Sequence, residues 1–172
     1  MKAAVITASD SGYQGKREDK SGPLAARRLI EAGYEVTERR LLPDDRGRLA
    51  EALRELADGG EVQLILTTGG TGFSPRDWTP EATMDVVERP APGIAEAMRA
   101  YSMKITGRAM LSRAAAGIRG RTLIVNLPGS PKAVGECLDC ILPELSHGLR
   151  ILTGEEQDCA GKADCARREG SE

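Results

Sequence analysis

The feature that most constrains this chain is an alternation of short apolar runs and amphipathic segments, joined by few residues. Lys2–Ala8 reads as a first strand, and Ser9–Lys20 as a polar loop. Ser21-Gly22-Pro23 starts a helix whose Leu24, Ala25, Leu29, Ile30 and Ala32 keep to one face until Gly33 stops it. Pro23 suits the first turn, where a missing N–H costs nothing. Tyr34–Leu42 alternates as a second strand, a helix runs from Asp44 to about Ala57, and Val62–Thr68 is a third strand. Strand, helix, strand, helix, strand with short links predicts a parallel sheet. Thr79-Pro80 begins another helix with Thr79 as its cap, Glu88–Gly93 breaks it, and Ile94–Lys104 is helical again. Ala114–Ile118 and Arg121–Leu127 read as two further strands around a turn at Arg119-Gly120. Ser130-Pro131 opens the last helical stretch with a serine cap. Pro143 lies inside that stretch and predicts two helices there, because a mid-helix proline costs about 3 kcal/mol.

The third strand runs straight into Thr67-Thr68-Gly69-Gly70-Thr71-Gly72-Phe73-Ser74-Pro75-Arg76-Asp77. A buried strand that opens into such a turn leaves backbone N–H groups unpaired, and glycine lets that backbone approach a phosphate closely. Asp77 sits where a phosphate-bound Mg²⁺ needs a hard oxygen. The alternative is a tight strand-to-helix turn with no ligand. In open α/β sheets, ligands gather at the carboxyl ends of the strands. Strand one delivers Ser9, Asp10 and Ser11 there, and strand two delivers Asp44 and Asp45. Strand three delivers Gly69, Gly70, Thr71, Gly72, Ser74 and Asp77, and the last strand Pro128, Gly129 and Ser130. Asp44 has a second reading as the cap of the following helix, a role worth about 1 kcal/mol. Asp77 has one as a turn aspartate. Ser130 combines a cap with an anion contact at a helix amino terminus. Arg76, Lys104 and Lys132 are candidates to offset phosphate charge.

Composition narrows the function. The 172 residues suit one domain, and aromatics at 3% leave Ala, Leu, Ile and Val to fill the core. A net charge of −2 argues against general nucleic-acid binding. No apolar run approaches the ~20 residues that span a bilayer, and the amino-terminal run is too short for a signal-peptide core, so a soluble cytoplasmic protein is expected. Cys137 and Cys140 share a helical apolar pattern, which favours packing over a zinc knuckle completed by Cys159 and Cys165. The P-loop, the dinucleotide fingerprint and H-E-x-x-H are missing from the sequence, and His147 is its one histidine. What remains is Mg²⁺-assisted phosphate chemistry by positioning and charge neutralisation.

The spelling TTGGTGFSPRDWTPEAT resembles the signature of the MogA/MoaB family of molybdenum cofactor biosynthesis. Leu127-Pro128-Gly129-Ser130-Pro131-Lys132-Ala133-Val134 and the Thr7-Ala8-Ser9-Asp10-Ser11 strand end with Glu18–Gly22 follow in family order. The resemblance covers residues 1–153 as one molybdopterin-binding domain, and 154–172 are expected to form a polar, mobile tail. It implies an α/β, three-layer fold with a mostly parallel sheet and helices on both faces. It further implies a molybdopterin adenylyltransferase that uses ATP and molybdopterin as substrates, with Mg²⁺ as cofactor. The family's acid directly after the proline of strand two maps to Asp44, after Pro43, and its second acid to Asp77. Both are expected as catalytic residues and metal ligands. Gly69–Gly72 are expected to hold phosphate oxygens, and Ser9, Asp10 and Leu127–Ser130 to frame the pterin pocket. A homotrimer and a partner protein for metal insertion come with the resemblance. The rival readings are a non-catalytic molybdopterin-binding or scaffold module, and a nucleotide-hydrolysing relative of the competence-damage family.

Overall fold

A computed structural model describes residues 1–155. The tail expectation, and with it Cys159 and Cys165, lies outside the described residues. Six strands form one sheet: β1 (Lys2–Ala8), β2 (Glu35–Leu42), β3 (Leu64–Thr68), β4 (Arg89–Pro90), β5 (Ala116–Arg119) and β6 (Thr122–Leu127). Their order is β2-β1-β3-β6-β5-β4. The β2-β1-β3-β6 part is parallel, and β5 and β4 add antiparallel strands at one edge. The helices are α1 (Asp10–Tyr13), α2 (Ser21–Glu31), α3 (Arg46–Asp58), α4 (Thr79–Met84), α5 (Pro92–Met103) and α6 (Pro131–Thr153), with a short 3₁₀ turn at Gly107–Leu111.

Both faces of the central strands are buried, which is why they read as near-continuous apolar runs. On one face Ala3, Val5, Leu64, Leu66, Leu123 and Val125 pack against α2, α5 and α6. On the other Ala4, Ile6, Ile65 and Ile124 meet Leu49, Leu53 and Leu56 of α3 and Ala82 of α4. The expected arrangement of a mostly parallel sheet between helical layers is therefore present. Asn126 is fully buried within it. Its amide nitrogen donates to Thr67 Oγ1 at 2.9 Å and Thr83 Oγ1 at 2.7 Å, and its oxygen accepts from the Ala115 N–H at 3.1 Å. One side chain thus joins β3, α4 and the approach to β5 to the central strand β6.

Several local expectations differ. Ser9–Lys20 holds the one-turn helix α1, started by Ser9 Oγ accepting from the Gly12 N–H. The cap of α3 is Asp45, whose carboxylate accepts from the Arg48 N–H at 2.9 Å, and Asp44 stays outside the helix. Thr79 is the first residue of α4 rather than a capping hydroxyl, since Trp78 occupies the cap position. Ser130 precedes α6 without a side-chain capping bond. Pro143 does not divide the last stretch, and α6 runs unbroken from Pro131 to Thr153. Ile141, Leu142, Leu145 and Leu149 flank the proline and are buried in the first core. Each such side chain contributes about 1.5–3 kcal/mol, so together they outweigh the lost backbone bond.

Candidate active site

The four parallel strands end together. Thr7 is level with Leu41, Thr68 pairs with Thr7, and Leu127 pairs with Thr68. The segments that follow therefore leave the same rim. Two of them are tied to each other: the Gly69 N–H donates to the Leu127 carbonyl at 3.3 Å, and Thr68 Oγ1 donates to the Pro128 carbonyl at 2.7 Å. Gly69 and Gly70 both adopt positive φ, +91° and +62°. A Cβ on Gly69 would stand 2.2 Å from the Ala8 carbonyl oxygen, and one on Gly70 2.4 Å from Thr79 Oγ1 and 3.2 Å from Asp44 Oδ1. These two positions require glycine for both conformation and space. The N–H groups of Gly70, Thr71 and Gly72 make no hydrogen bond to any described residue.

Two cavities meet at this loop. One, of about 600 Å³, is polar and lined by Thr7, Ser9, Asp19, Lys20, Ser21 and Asp44, among others. The second, of about 470 Å³, is largely apolar: Ala95, Met98, Leu111, Ala114 and Cys137 line it, with Arg99, Ser102 and Ser112. Gly70, Asp77, Gly129 and Ser130 line both. Two ligands seated in the two lobes would face one another across those four residues.

Asp44 and Asp10 bond reciprocally. The Asp10 N–H donates to Asp44 Oδ2 at 2.8 Å, and the Asp44 N–H to Asp10 Oδ1 at 3.1 Å. Arg76 grips both Asp10 oxygens at 3.0 Å. That guanidinium holds the Asp10 carboxyl below the ordinary carboxylate range. Burial pushes Asp44 up instead, and the charges of Asp10 and Asp77 push the same way, against the Asp10 N–H and Arg76. Asp44 Oδ1 is left facing Gly70. Asp77 spends Oδ2 on the Ser74 N–H at 3.0 Å.

Of the residues expected at the site, Ser9, Asp44, Gly69, Gly70, Thr71, Gly72, Asp77, Pro128, Gly129 and Ser130 line one lobe or both. Asp10 reaches the site through Asp44. Ser11 and Ser74 do not line either lobe. Ser11 bonds Ser9 Oγ at 3.3 Å, and Ser74 Oγ accepts from the Arg76 N–H at 3.3 Å. Lys132 is 81% exposed beside Glu136, and the cations at the polar lobe are Arg17 and Lys20. Asp19 also eluded the sequence reading. It accepts from Thr7 Oγ1 and from the Ser21 and Gly22 N–H groups, so it satisfies the first amides of α2 from one residue ahead of the Lys20 cap position, and it lines the polar lobe. Its place just before Ser21-Gly22-Pro23 was the available signal. The apolar lobe had none, because α5, the 3₁₀ turn and α6 each supply isolated residues.

Residues 4–147 match the family described as a probable molybdopterin binding domain. The chain belongs to that family. It is 39% identical over 157 residues to the molybdopterin adenylyltransferase of Helicobacter pylori J99, covering 87% of this chain and 86% of that protein. It is 43% identical over 150 residues to the molybdenum cofactor synthesis protein cinnamon of Drosophila melanogaster, covering 86% of this chain but 25% of that longer protein. The crystal structure of the molybdopterin biosynthesis enzyme MoaB of Thermus thermophilus superposes with a TM-score of 0.84 at 45% identity, covering 89% of this chain and 96% of that one.

The charges on this rim set its pH response. Burial holds the Asp44 carboxyl above the ordinary range, so an activity that needs Asp44 ionised should show an acidic limb of kcat/KM above the ~4 of a free aspartate. Replacing Arg76 by Gln removes a positive charge from both acids and should move that limb to higher pH. The stability signs are opposite. Asp44, raised, favours the fold below its unfolded value and loses that contribution as pH rises through its folded value. Asp10, depressed, favours the fold above its unfolded value and loses that contribution as pH falls through its folded one. Paired pH–rate and pH–melting curves of wild type and Arg76→Gln check both; an unshifted acidic limb removes Asp44 as the titrating group.

Proposed function

We propose that this chain is a molybdopterin adenylyltransferase acting in molybdenum cofactor biosynthesis. The observation that carries the reading is the pair of cavities meeting at Gly70, Asp77, Gly129 and Ser130. A transfer between two bound substrates needs such a meeting point, and kinship with a named adenylyltransferase supplies the chemistry. The polar lobe suits a pterin, which is rich in hydrogen-bonding edges, and the apolar lobe suits adenine. A terminal phosphate oxygen of molybdopterin attacks the α-phosphorus of ATP. The new P–O bond forms as the bond to pyrophosphate breaks.

Both reactants are anions, so their approach has to be offset. The free amides of Gly70, Thr71 and Gly72 take phosphate oxygens, and the amino terminus of α6 at Ser130 adds its positive end. The donor set fits Mg²⁺, which binds through one or two carboxylates plus substrate phosphates rather than an all-protein cage. Asp44 Oδ1 faces the loop, and Asp77 lines both lobes. Those two side chains would hold it, and bound there it neutralises phosphate charge. Asp10, tied to Arg76, orients Asp44. The family resemblance adds a homotrimer, a cytoplasmic site of action and a partner for metal insertion. Among the described residues no helix is long and apolar enough to cross a membrane.

The test is pyrophosphate release from Mg-ATP with and without molybdopterin. Release that requires molybdopterin, with formation of the adenylylated product, is the expected result. Binding of molybdopterin with no pyrophosphate would identify a carrier module, and release without molybdopterin a nucleotide hydrolase.

A further inference from the structure

Arg113 lies 36 residues beyond Asp77, yet it binds the loop that carries Asp77 at three places and the helix after it at a fourth. Its backbone N–H donates to the Thr71 carbonyl at 2.9 Å. Its Nε donates to the Gly72 carbonyl at 2.7 Å and its Nη2 to the Asp77 carbonyl at 2.5 Å. Its Nη1 pairs with the Glu81 carboxylate on α4. All three guanidinium nitrogens are thus spent on residues 72–81. None of these contacts reaches into a lobe. They hold, from behind, the residues whose amides and carboxylate face the lobes.

We propose that Arg113 is a positioning residue for the transfer site: it fixes Asp77 and the glycine-loop amides in one rigid unit and joins that unit to the wall of the apolar lobe. The inference rests on the adenylyl-transfer reading above. Three observations carry it. First, the fork geometry of arginine is what lets one side chain meet two carbonyls and a carboxylate in fixed directions, which an ammonium cannot do. Secondly, the neighbours of Arg113 belong to the other lobe. Ser112 and Ala114 line it, and their carbonyls accept from Arg99 Nη1 at 3.3 and 2.9 Å. Residue 113 is therefore where the wall of the apolar lobe and the loop of the cation site are connected. Thirdly, the Arg113–Glu81 pair is sheltered, with the Glu81 side chain 29% exposed, and it fixes the start of α4 to the same guanidinium that holds the loop.

The Thr71 contact adds to this. Its carbonyl shares a peptide group with the Gly72 N–H, and a carbonyl that accepts a hydrogen bond makes its N–H a stronger donor. Arg113 then sharpens as well as places a phosphate-facing amide.

The experiment compares Arg113→Met, Arg113→Lys, Asp77→Asn and the Arg113→Met/Asp77→Asn double variant in the full chain. Turnover is measured, together with Mn²⁺ affinity by electron paramagnetic resonance in the presence of a non-cleavable ATP analogue. Arg113→Met should slow turnover roughly 100-fold, the cost of a small misplacement of reacting groups. It should weaken Mn²⁺ binding about 10-fold, as losses of orienting partners do. Arg113→Lys keeps the charge, folds with a melting temperature near wild type, and recovers neither quantity in full. The double variant should be no slower than Asp77→Asn alone, because the two residues act as one unit. Multiplying losses, or wild-type Mn²⁺ affinity and turnover in Arg113→Lys, overturns the positioning role and leaves the function proposal standing. Wild-type turnover in Asp77→Asn likewise overturns the positioning role, since Arg113 would then have no functional carboxylate to place, whereas only the absence of molybdopterin-dependent turnover in the wild-type chain overturns the function proposal. If Arg113→Met does not fold, Arg113→Lys alone decides.

Discussion

Asp77→Asn should fold normally and transfer adenylate on the order of 10²–10³-fold more slowly, a loss of roughly 3–4 kcal/mol of transition-state stabilisation. The fold is spared because Asp77 uses one carboxylate oxygen to accept from the Ser74 N–H, and the amide oxygen of asparagine accepts the same bond. The Asp77 N–H still donates to the Ser74 carbonyl at 2.9 Å. What disappears is one negative charge where both lobes meet. Steady-state kinetics with Mg-ATP and molybdopterin measures the loss, and circular dichroism with a thermal melt checks the fold. Near wild-type turnover in a folded variant would take Asp77 out of the mechanism and leave Asp44 as the carboxylate to examine.

Gly69→Ala should be the most damaging single-methyl change in the described chain. Its Cβ would stand 2.2 Å from the Ala8 carbonyl oxygen, which is backbone at the end of β1 and cannot swing away. The φ of +91° is strained for alanine before any contact is counted. Together these should cost about 3 kcal/mol or more, which for a chain of this size lowers the melting temperature by roughly 6–12 °C. The clash would push the Gly69 backbone from Ala8, and Gly129 lies close enough that a Cβ built on it would stand 3.3 Å from the Gly69 Cα, so a shifted Gly69 would press on it. The rim would then lose its register between the β3 and β6 loops. A melt within about 2 °C of wild type would mean that β1 and β3 have more freedom at their ends than the register implies.

How much of this was legible beforehand depends on the range of the interaction involved. The runs of β1, β3 and β6, the helix entry at Ser21-Gly22-Pro23 and the stop at Gly33 are local chemistry, and each reads directly from neighbouring residues. So does the glycine loop, because a strand opening into Gly69-Gly70-Thr71-Gly72 has few ways to continue. Parallel pairing of β1, β2 and β3 follows from the short links and places Asp44 and Asp77 on one rim, to which β6, parallel beside β3, brings Gly129. Pro143 misled for the opposite reason: its local penalty is real, but Ile141, Leu142, Leu145 and Leu149 bury enough apolar surface around it to keep α6 whole.

The family resemblance singled out Asp44, but only the tertiary structure shows which partner each of the two acids after β2 takes. Asp44 and Asp45 are adjacent and chemically identical, and the turn of the chain after β2 sends Asp45 to the α3 amide and Asp44 to Asp10. Ser11 and Ser74 stand in the right motifs, but local bonds hold them away from the lobes. The apolar lobe and the Arg113 clamp join residues 30 or more positions apart, and no local pattern encodes such a meeting. The sequence by itself therefore determined the parallel strands, their rim and the glycine loop, since these rest on short-range preferences, whereas the two-residue strand β4 at the antiparallel edge reads in the sequence only as a helix break. The partition of hydrogen bonds among like side chains, and the second cavity, had to wait for the packed molecule, because they depend on which distant backbone groups arrive beside them.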